Sequence, residues 1–280
     1  MRIAITGASG RVGRAILEMA LGQGHSVVSI DRVPPAAPQP AAAPGQPATF
    51  VQADITDYAA FEQALRGCEA LVHMAAIAAP GHHPDHVVHN NNVVGSYNAL
   101  RAAAELGITR VCQASSVNAT GAVYSRWPRY DYFPLDERHP TYNEDPYSLS
   151  KWICELQAES MARRYEGMSI ASMRFHWVVP DRAAAAQRDA RANKFLAKQL
   201  WGYTRFDSAA QACLMSLTAG FKGAEAFYII APDTMTDTPS LELAHEHFPD
   251  VPVRGDLSDR RGFFDCSKAQ RLLGWTHPAG

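Results

Sequence analysis

The sequence has no CxxC unit, no basic excess, no internal repeat and no apolar run long enough to cross a bilayer, and each absence removes a class of function. Its five cysteines, Cys68, Cys112, Cys154, Cys213 and Cys266, are scattered and odd in number, which argues against a disulfide framework and against a zinc site alike. No metal is expected, and a reducing, cytoplasmic setting is. Lys and Arg total 26 against 28 Asp and Glu, a formal net charge of −2. The electrostatic attraction that drives nucleic-acid binding therefore has no source, and nucleic acid is not an expected partner. Nor is a membrane. The first strand-like segment begins at Arg2, which leaves no room for a secretion signal.

What is present is an alternation of two periods. With 47% apolar residues in 280, the chain can bury one large core, or a nucleotide domain with a small second lobe. Short β-branched runs alternate with amphipathic stretches: Arg2–Thr6, Val12–Leu21, Ser26–Ile30, Thr49–Ala53, Phe61–Leu65, Ala70–Met74, Val93–Leu106 and Arg110–Ala114. That alternation predicts an α/β fold with a doubly wound parallel sheet. The proline-rich stretch 33–48 suits neither helix nor sheet interior and reads as a surface loop near the adenosine end of a nucleotide site. A helix is expected after Pro146 and a strand over Ile170–Phe175. Further elements are expected at Ala209–Leu217, Ala226–Ile230 and Ser267–Leu272. Residues 1–173 are read as a Rossmann domain and 174–280 as a small C-terminal substrate lobe with elements returning to the sheet.

Residues 3 to 13 read IAITGASGRVG, a strand that runs into glycines and then into a helical pattern. Such glycines allow a tight turn and close approach of a pyrophosphate to free N–H groups at a helix N-terminus. Gly7, Gly10, Arg11, Val12 and Gly13 are the expected phosphate cradle. The following strand ends in Asp31, whose carboxylate suits ribose hydroxyls and repels a 2′-phosphate, favouring NAD. Arg11 and Arg32 could each receive that phosphate, so NADP stays possible.

Tyr147 and Lys151 lie in YSLSK after Pro146, one helical turn apart on one face. An ammonium beside a phenol favours phenolate, which makes Tyr147 a candidate general base. Ser116 ends the fifth strand, at the edge where open α/β sheets bind ligands, and its hydroxyl can orient a substrate oxygen. A YxxxK spacing is a common accident by itself. Its order after a glycine cradle and a strand-terminal serine is what gives it weight.

TGASGRVG, Asp31, Asp54, the HMAA run 73–76, the NVVG run 92–95, Ser116, YSLSK and the LLGW run 272–275 together resemble the extended short-chain dehydrogenases/reductases, the NAD-dependent epimerase/dehydratase family. The layout is most similar to uronate dehydrogenase-like members. The resemblance implies that Asp54 and Ile55 meet the adenine, Ala75 and Ala76 line the cofactor, and Lys151 holds the nicotinamide ribose. It places Asn92 and Phe175 near the nicotinamide half. Ala78, Asn118, Arg174 and His176 would contact substrate, and a homodimer is implied.

The segment after Arg174 is short and alanine-rich, which argues for a free sugar, sugar acid or similar small polyol over a nucleotide sugar. Uronate dehydrogenases carry Asn-His after the serine where this chain has Val117-Asn118, and a serine where it has Ala78. No counterpart of their carboxylate-binding arginine is evident; Arg191, Lys194 or Lys198 could take that place. The rivals are a nucleotide-sugar epimerase or dehydratase with tightly held NAD, and a cofactor-binding regulator without turnover. His82, His83, His86 and His89 invite a metal reading, but Pro84 interrupts them. They are expected in the loop after the fourth strand, near the substrate mouth. The tryptophans, Tyr130 and Tyr132 are read as packing residues.

Overall fold

The computed structural model describes residues 1–36, 48–187 and 194–278. A seven-stranded parallel sheet runs through it in the order β3-β2-β1-β4-β5-β6-β9. The strands are β1 (Arg2–Thr6), β2 (Ser26–Asp31), β3 (Ala48–Gln52), β4 (Ala70–His73), β5 (Arg110–Ala114), β6 (Ser169–Phe175) and β9 (Gly223–Ile229). The crossovers are α1 (Arg11–Gly22), α2 (Tyr58–Leu65), α3 (Asp85–Glu105), α4 (Pro146–Arg164) and α7 (Phe206–Ser216). The order reverses at β1, which pairs with β2 on one side and β4 on the other. Ligand crevices form at such a switch point. β4 and β6 are buried along their whole length, as strands covered on both faces must be.

Most sequence boundaries hold to within a few residues. The largest departure is α3, which begins at Asp85 rather than Val93; the polar HNNN run at 89–92 hides the helical period there. His86 and His89 therefore lie on α3, not in the loop. The small sheet of β7 (Val178–Val179) and β8 (Thr204–Arg205) is too short to leave a pattern. The proline-rich stretch lies mostly outside the described residues. Of the alanine-rich segment, α5 (Arg182–Ala186) is described. The short α6 spans Lys194–Lys198, and α8 and α9 span Ser240–His247 and Ser267–Leu273. Among the described residues no helix is long and apolar enough to cross a membrane.

Apolar side chains gather in three clusters. Two sandwich the sheet: one joins α1 and α7 through Ile16, Leu17, Cys213 and Leu214, and the other joins α2, α3 and α4 through Phe61, Leu100 and Met161. The third combines Val117–Leu135 side chains with Leu196, Trp201, Met235, Leu243 and Phe263. Packing therefore cuts the chain differently from a boundary at 173, since residues well ahead of Arg174 belong to this third core. In the other direction, β9 completes the main sheet beside β6.

One buried ion pair fastens β6 to α4. Arg174 donates from Nε and from a terminal nitrogen to Glu155, at 2.9 and 2.8 Å, with both side chains under 10% exposed. Removing one member of such a pair leaves an uncompensated charge and typically costs about 3–5 kcal/mol. Glu155→Ala should lower unfolding free energy by that order in urea denaturation. A loss under about 1 kcal/mol would show that Arg174 finds other compensation.

Candidate functional site

The carboxyl ends of β1, β4, β5 and β6 open into two adjoining cavities. The larger, about 450 Å³, is lined by Ser116, Tyr147, Lys151, Phe175, Asn118 and Ala78 among others. The smaller, about 370 Å³, is lined by Gly7, Gly10, Gly13, Asp31, Arg32, Asp54, Ile55 and Ala75. Arg11, Val12, Met74, Ala76 and Ala78 belong to both walls, so the two form one elongated cleft.

The smaller cavity is shaped for an anion. Gly10 caps α1 without a side-chain hydrogen bond, which leaves the first-turn N–H groups facing the cleft. A Cβ on Gly13 would stand 2.1 Å from the Gly7 carbonyl oxygen, so no larger residue lets α1 start this close to the turn. Thr6 Oγ1 lies 2.9 Å from His73 Nδ1 and accepts from the Ala75 N–H, tying the β1 and β4 ends together. Asp31 accepts the N–H groups of Ser9 and Val33, at 3.0 and 3.1 Å. This fixes its carboxylate at the wall. Arg32 lies 3.8 Å from Asp54, and Arg11 stands over the Phe206 ring. Turn, helix start and terminal acid fit the adenosine and pyrophosphate of a dinucleotide.

In the larger cavity each reactive group has a local cause. Asp145 caps α4 by accepting from the N–H groups of Tyr147 and Ser148, with Pro146 in the first turn, and so sets where Tyr147 leaves the helix. Ser116 caps the 3₁₀ turn 117–120. Its oxygen accepts from the Asn118 backbone N–H at 3.1 Å and from the Asn118 amide at 3.3 Å. With both acceptor directions taken, the Ser116 proton is left to donate. Gly121, at φ 81°, closes this turn, and a Cβ there would meet Asn143 and Tyr142 backbone atoms at 2.3 Å. Tyr124 abuts Tyr147 edge-on, with ring centroids 5.9 Å apart.

Several expectations change on contact with this geometry. Burial pushes the Tyr147 phenol up, against a lowering hydrogen bond with Ser116. Lys151 does not offset it: its ammonium donates to the Ala114 carbonyl at 2.8 Å, and burial lowers its own pKa. Arg174 is consumed by Glu155 and lines neither cavity. Asn92 is likewise withdrawn, bonding both backbone groups of Ile77 and the Ser150 hydroxyl. The Asn118 carboxamide lies at the wall but is spent on Ser116 and on the Val123 N–H. None of His82, His83, His86 and His89 lines either cavity. Lys198 donates to the carbonyls of Ser125 and Arg126, so it does not serve as a carboxylate anchor. Arg191 and the Lys194 side chain lie outside the described residues. Tyr124, Trp177, Phe195 and Gln199 join the wall. No local pattern marked Tyr124 or Gln199, and Trp177 read as packing.

His176 reaches the wall with both ring nitrogens engaged: Nε2 donates to the Gln199 carbonyl at 2.8 Å, and Nδ1 accepts the Trp177 N–H at 2.7 Å. Burial drives its pKa down to about 4, so the ring is neutral. The unfolded chain binds this proton near pH 6.5 and the fold does not until about pH 4. Stability should therefore fall with pH across that window, by on the order of 1 kcal/mol per pH unit for this group. Urea midpoints measured between pH 7 and 4.5 should fall less steeply in His176→Asn. Equal slopes would mean that the ring already charges freely in the fold.

The model of the NAD dependent epimerase/dehydratase family matches residues 3–202. An uncharacterized protein of Mycobacterium tuberculosis (strain ATCC 25618 / H37Rv) is 40% identical over 116 residues, 41% of this chain and 12% of that one. Uronate dehydrogenase of Pseudomonas putida is 28% identical over 173 residues, 62% of this chain and 59% of its own length. This chain thus spans less than two thirds of either relative. Among solved structures, a mutated uronate dehydrogenase superposes with a TM-score of 0.71 at 22% identity, covering 100% of this chain and 82% of that one; at that identity the likeness speaks for the fold. A family match that runs from β1 through both cavities to Gly202 makes this chain a member of the NAD dependent epimerase/dehydratase family.

Proposed function

We propose that the protein is an NAD-dependent dehydrogenase that interconverts a hydroxyl and a carbonyl on a small carbohydrate-like substrate. The observation that carries this reading is the convergence of Ser116, Tyr147 and Lys151 on one cavity continuous with the glycine-walled one. Gly7, Gly10, Gly13, Asp31, Asp54 and Ile55 would hold the adenosine and pyrophosphate. Ala75, Ala76, Lys151 and Phe175 would hold the other half. When bound, the nicotinamide accepts or returns a hydride. Tyr147 exchanges the proton of the substrate oxygen, and Ser116 donates to that oxygen. Because burial holds the phenol protonated, Tyr147 is ready at rest to give its proton to a carbonyl. Oxidation requires it to ionise first, so the oxidative rate should climb with pH.

The side chains from 117–135 and from beyond Arg174 would form the substrate lobe, taking a free sugar, sugar acid or small polyol. A redox-neutral epimerase would use the same three groups, and stoichiometric NADH formation separates the two. A homodimer in the cytoplasm completes the reading. It is supported by the free cysteines and by exposed Val94, Tyr97, Leu149 and Leu156 on α3 and α4, and light scattering measures the molar mass.

Tyr147→Phe should cut turnover by roughly 10²–10⁴-fold with NAD affinity nearly unchanged, as expected for loss of a proton-transfer group alone. Retention of half the activity would remove Tyr147 from that role. Asp31→Ala should weaken NAD binding and improve relative use of NADP, with Arg11 or Arg32 meeting the 2′-phosphate. Titration of both forms with both cofactors checks this, and an NADP preference in the unmodified protein would overturn it.

A further inference from the structure

The chemistry above leaves the Gln199 carboxamide of the larger cavity, like the Tyr124 hydroxyl, without a task among the described residues. Gln199 is 7% exposed and lines the cavity, and no described residue hydrogen-bonds its carboxamide. Its backbone, in contrast, is held firmly. The N–H donates to the Leu196 carbonyl at 3.0 Å, and the carbonyl accepts from His176 Nε2 at 2.8 Å and from the Gly202 N–H at 3.3 Å. Leu200 and Trp201 follow at φ 53° and 49°, a backbone state that side-chain-bearing residues keep only where their surroundings enforce it. A rigid turn thus presents to the cavity an amide that has both donor and acceptor capacity and no partner among the described residues. Such a group gains most when a ligand supplies the missing hydrogen bonds.

The surrounding charges say what kind of ligand. Arg174 is paired with Glu155, Arg182 with Asp233 and Asp237, and Lys198 with two backbone carbonyls. Among the described residues the cations on this wall are Lys151 and Arg11; the first belongs to the reacting centre and the second to the cofactor junction. Tyr124, Trp177 and Phe195 supply aromatic surface, which suits the C–H faces of a sugar ring.

We propose that Gln199 is the specificity residue: its carboxamide binds an uncharged hydroxyl or carbonyl of the substrate, and the pocket prefers a neutral sugar to the corresponding sugar acid or nucleotide sugar. This rests on the dehydrogenase reading. A carboxamide recognises a neutral oxygen from either side, whereas a carboxylate calls for a guanidinium fork. His176 acts through Gln199 as a positioning residue, holding its carbonyl.

The test is isothermal titration of the NAD-loaded full chain with D-glucose and D-galactose, with D-glucuronate and D-galacturonate, and with UDP-glucose. It is repeated for Gln199→Ala, Gln199→Leu and Gln199→Arg after thermal unfolding shows which are folded; the leucine variant keeps the side-chain volume. A neutral hexose should bind most tightly to the unmodified protein. Loss of the carboxamide should weaken it roughly 3- to 10-fold, the worth of one neutral hydrogen bond, raising KM more than it lowers kcat and leaving the NAD Kd in place. Gln199→Arg should shift preference toward the uronates. Tighter binding of a uronate or of UDP-glucose to the unmodified protein overturns the proposal. So does equal hexose affinity with and without the carboxamide, and so does NAD binding with no sugar binding at all. Failure to bind NAD refutes the dehydrogenase reading, and the proposal falls with it.

Discussion

The larger cavity hangs on a single carboxylate. Glu155, one turn beyond Lys151 on α4, accepts from Ser115 at the end of β5 and from two nitrogens of Arg174 on β6. Three elements are thereby fixed relative to one another beneath the cavity. Ser115 neighbours Ser116, and Lys151 itself reaches back to the Ala114 carbonyl. The spacing between hydroxyl and phenol is therefore supported by a buried charge pair that lines neither cavity. A pair of this kind contributes little net stability, since desolvation offsets much of the attraction. What it supplies is a defined placement.

The two halves of the cleft differ in how they are made. The glycine-walled half is local: a turn, a helix start and the ends of the next strands. The larger cavity draws residues from Arg11 to Phe206 and joins segments far apart in the chain. Substitutions on that side can re-form the pocket while the glycine turn and Asp31 stay as they are.

This difference explains what the sequence discloses. Gly7, Gly10, Gly13 and Asp31 are legible because backbone geometry and strand position dictate them within a short window, and YSLSK is legible because one helical turn relates its ends. Arg174 and Asn92 line neither cavity because their partners, Glu155 and Ile77 with Ser150, are chosen by tertiary packing, whereas His176 does reach the wall, held there by Gln199. The polarity of Tyr147 is misjudged for a similar reason. Helical spacing to Lys151 is visible in a sequence, but the burial that outweighs it is not. Gln199 carries no signal at all, since its place on the cavity wall is set by tertiary contacts of its backbone.

The position of β9 has a consequence for synthesis. It pairs along the whole of β6, while α7 packs on α1 at the other end of the sequence. Until the ribosome has released residues beyond 229, β6 presents an open edge, and until residues 206–216 are out α1 has an uncovered apolar face. Long-range closure of this sort is slow, and unpaired edges recruit other chains. The nascent chain must therefore pass through an interval in which a nearly finished sheet is exposed to its neighbours, so chaperone occupancy during translation should concentrate in the interval between emergence of β6 and arrival of β9.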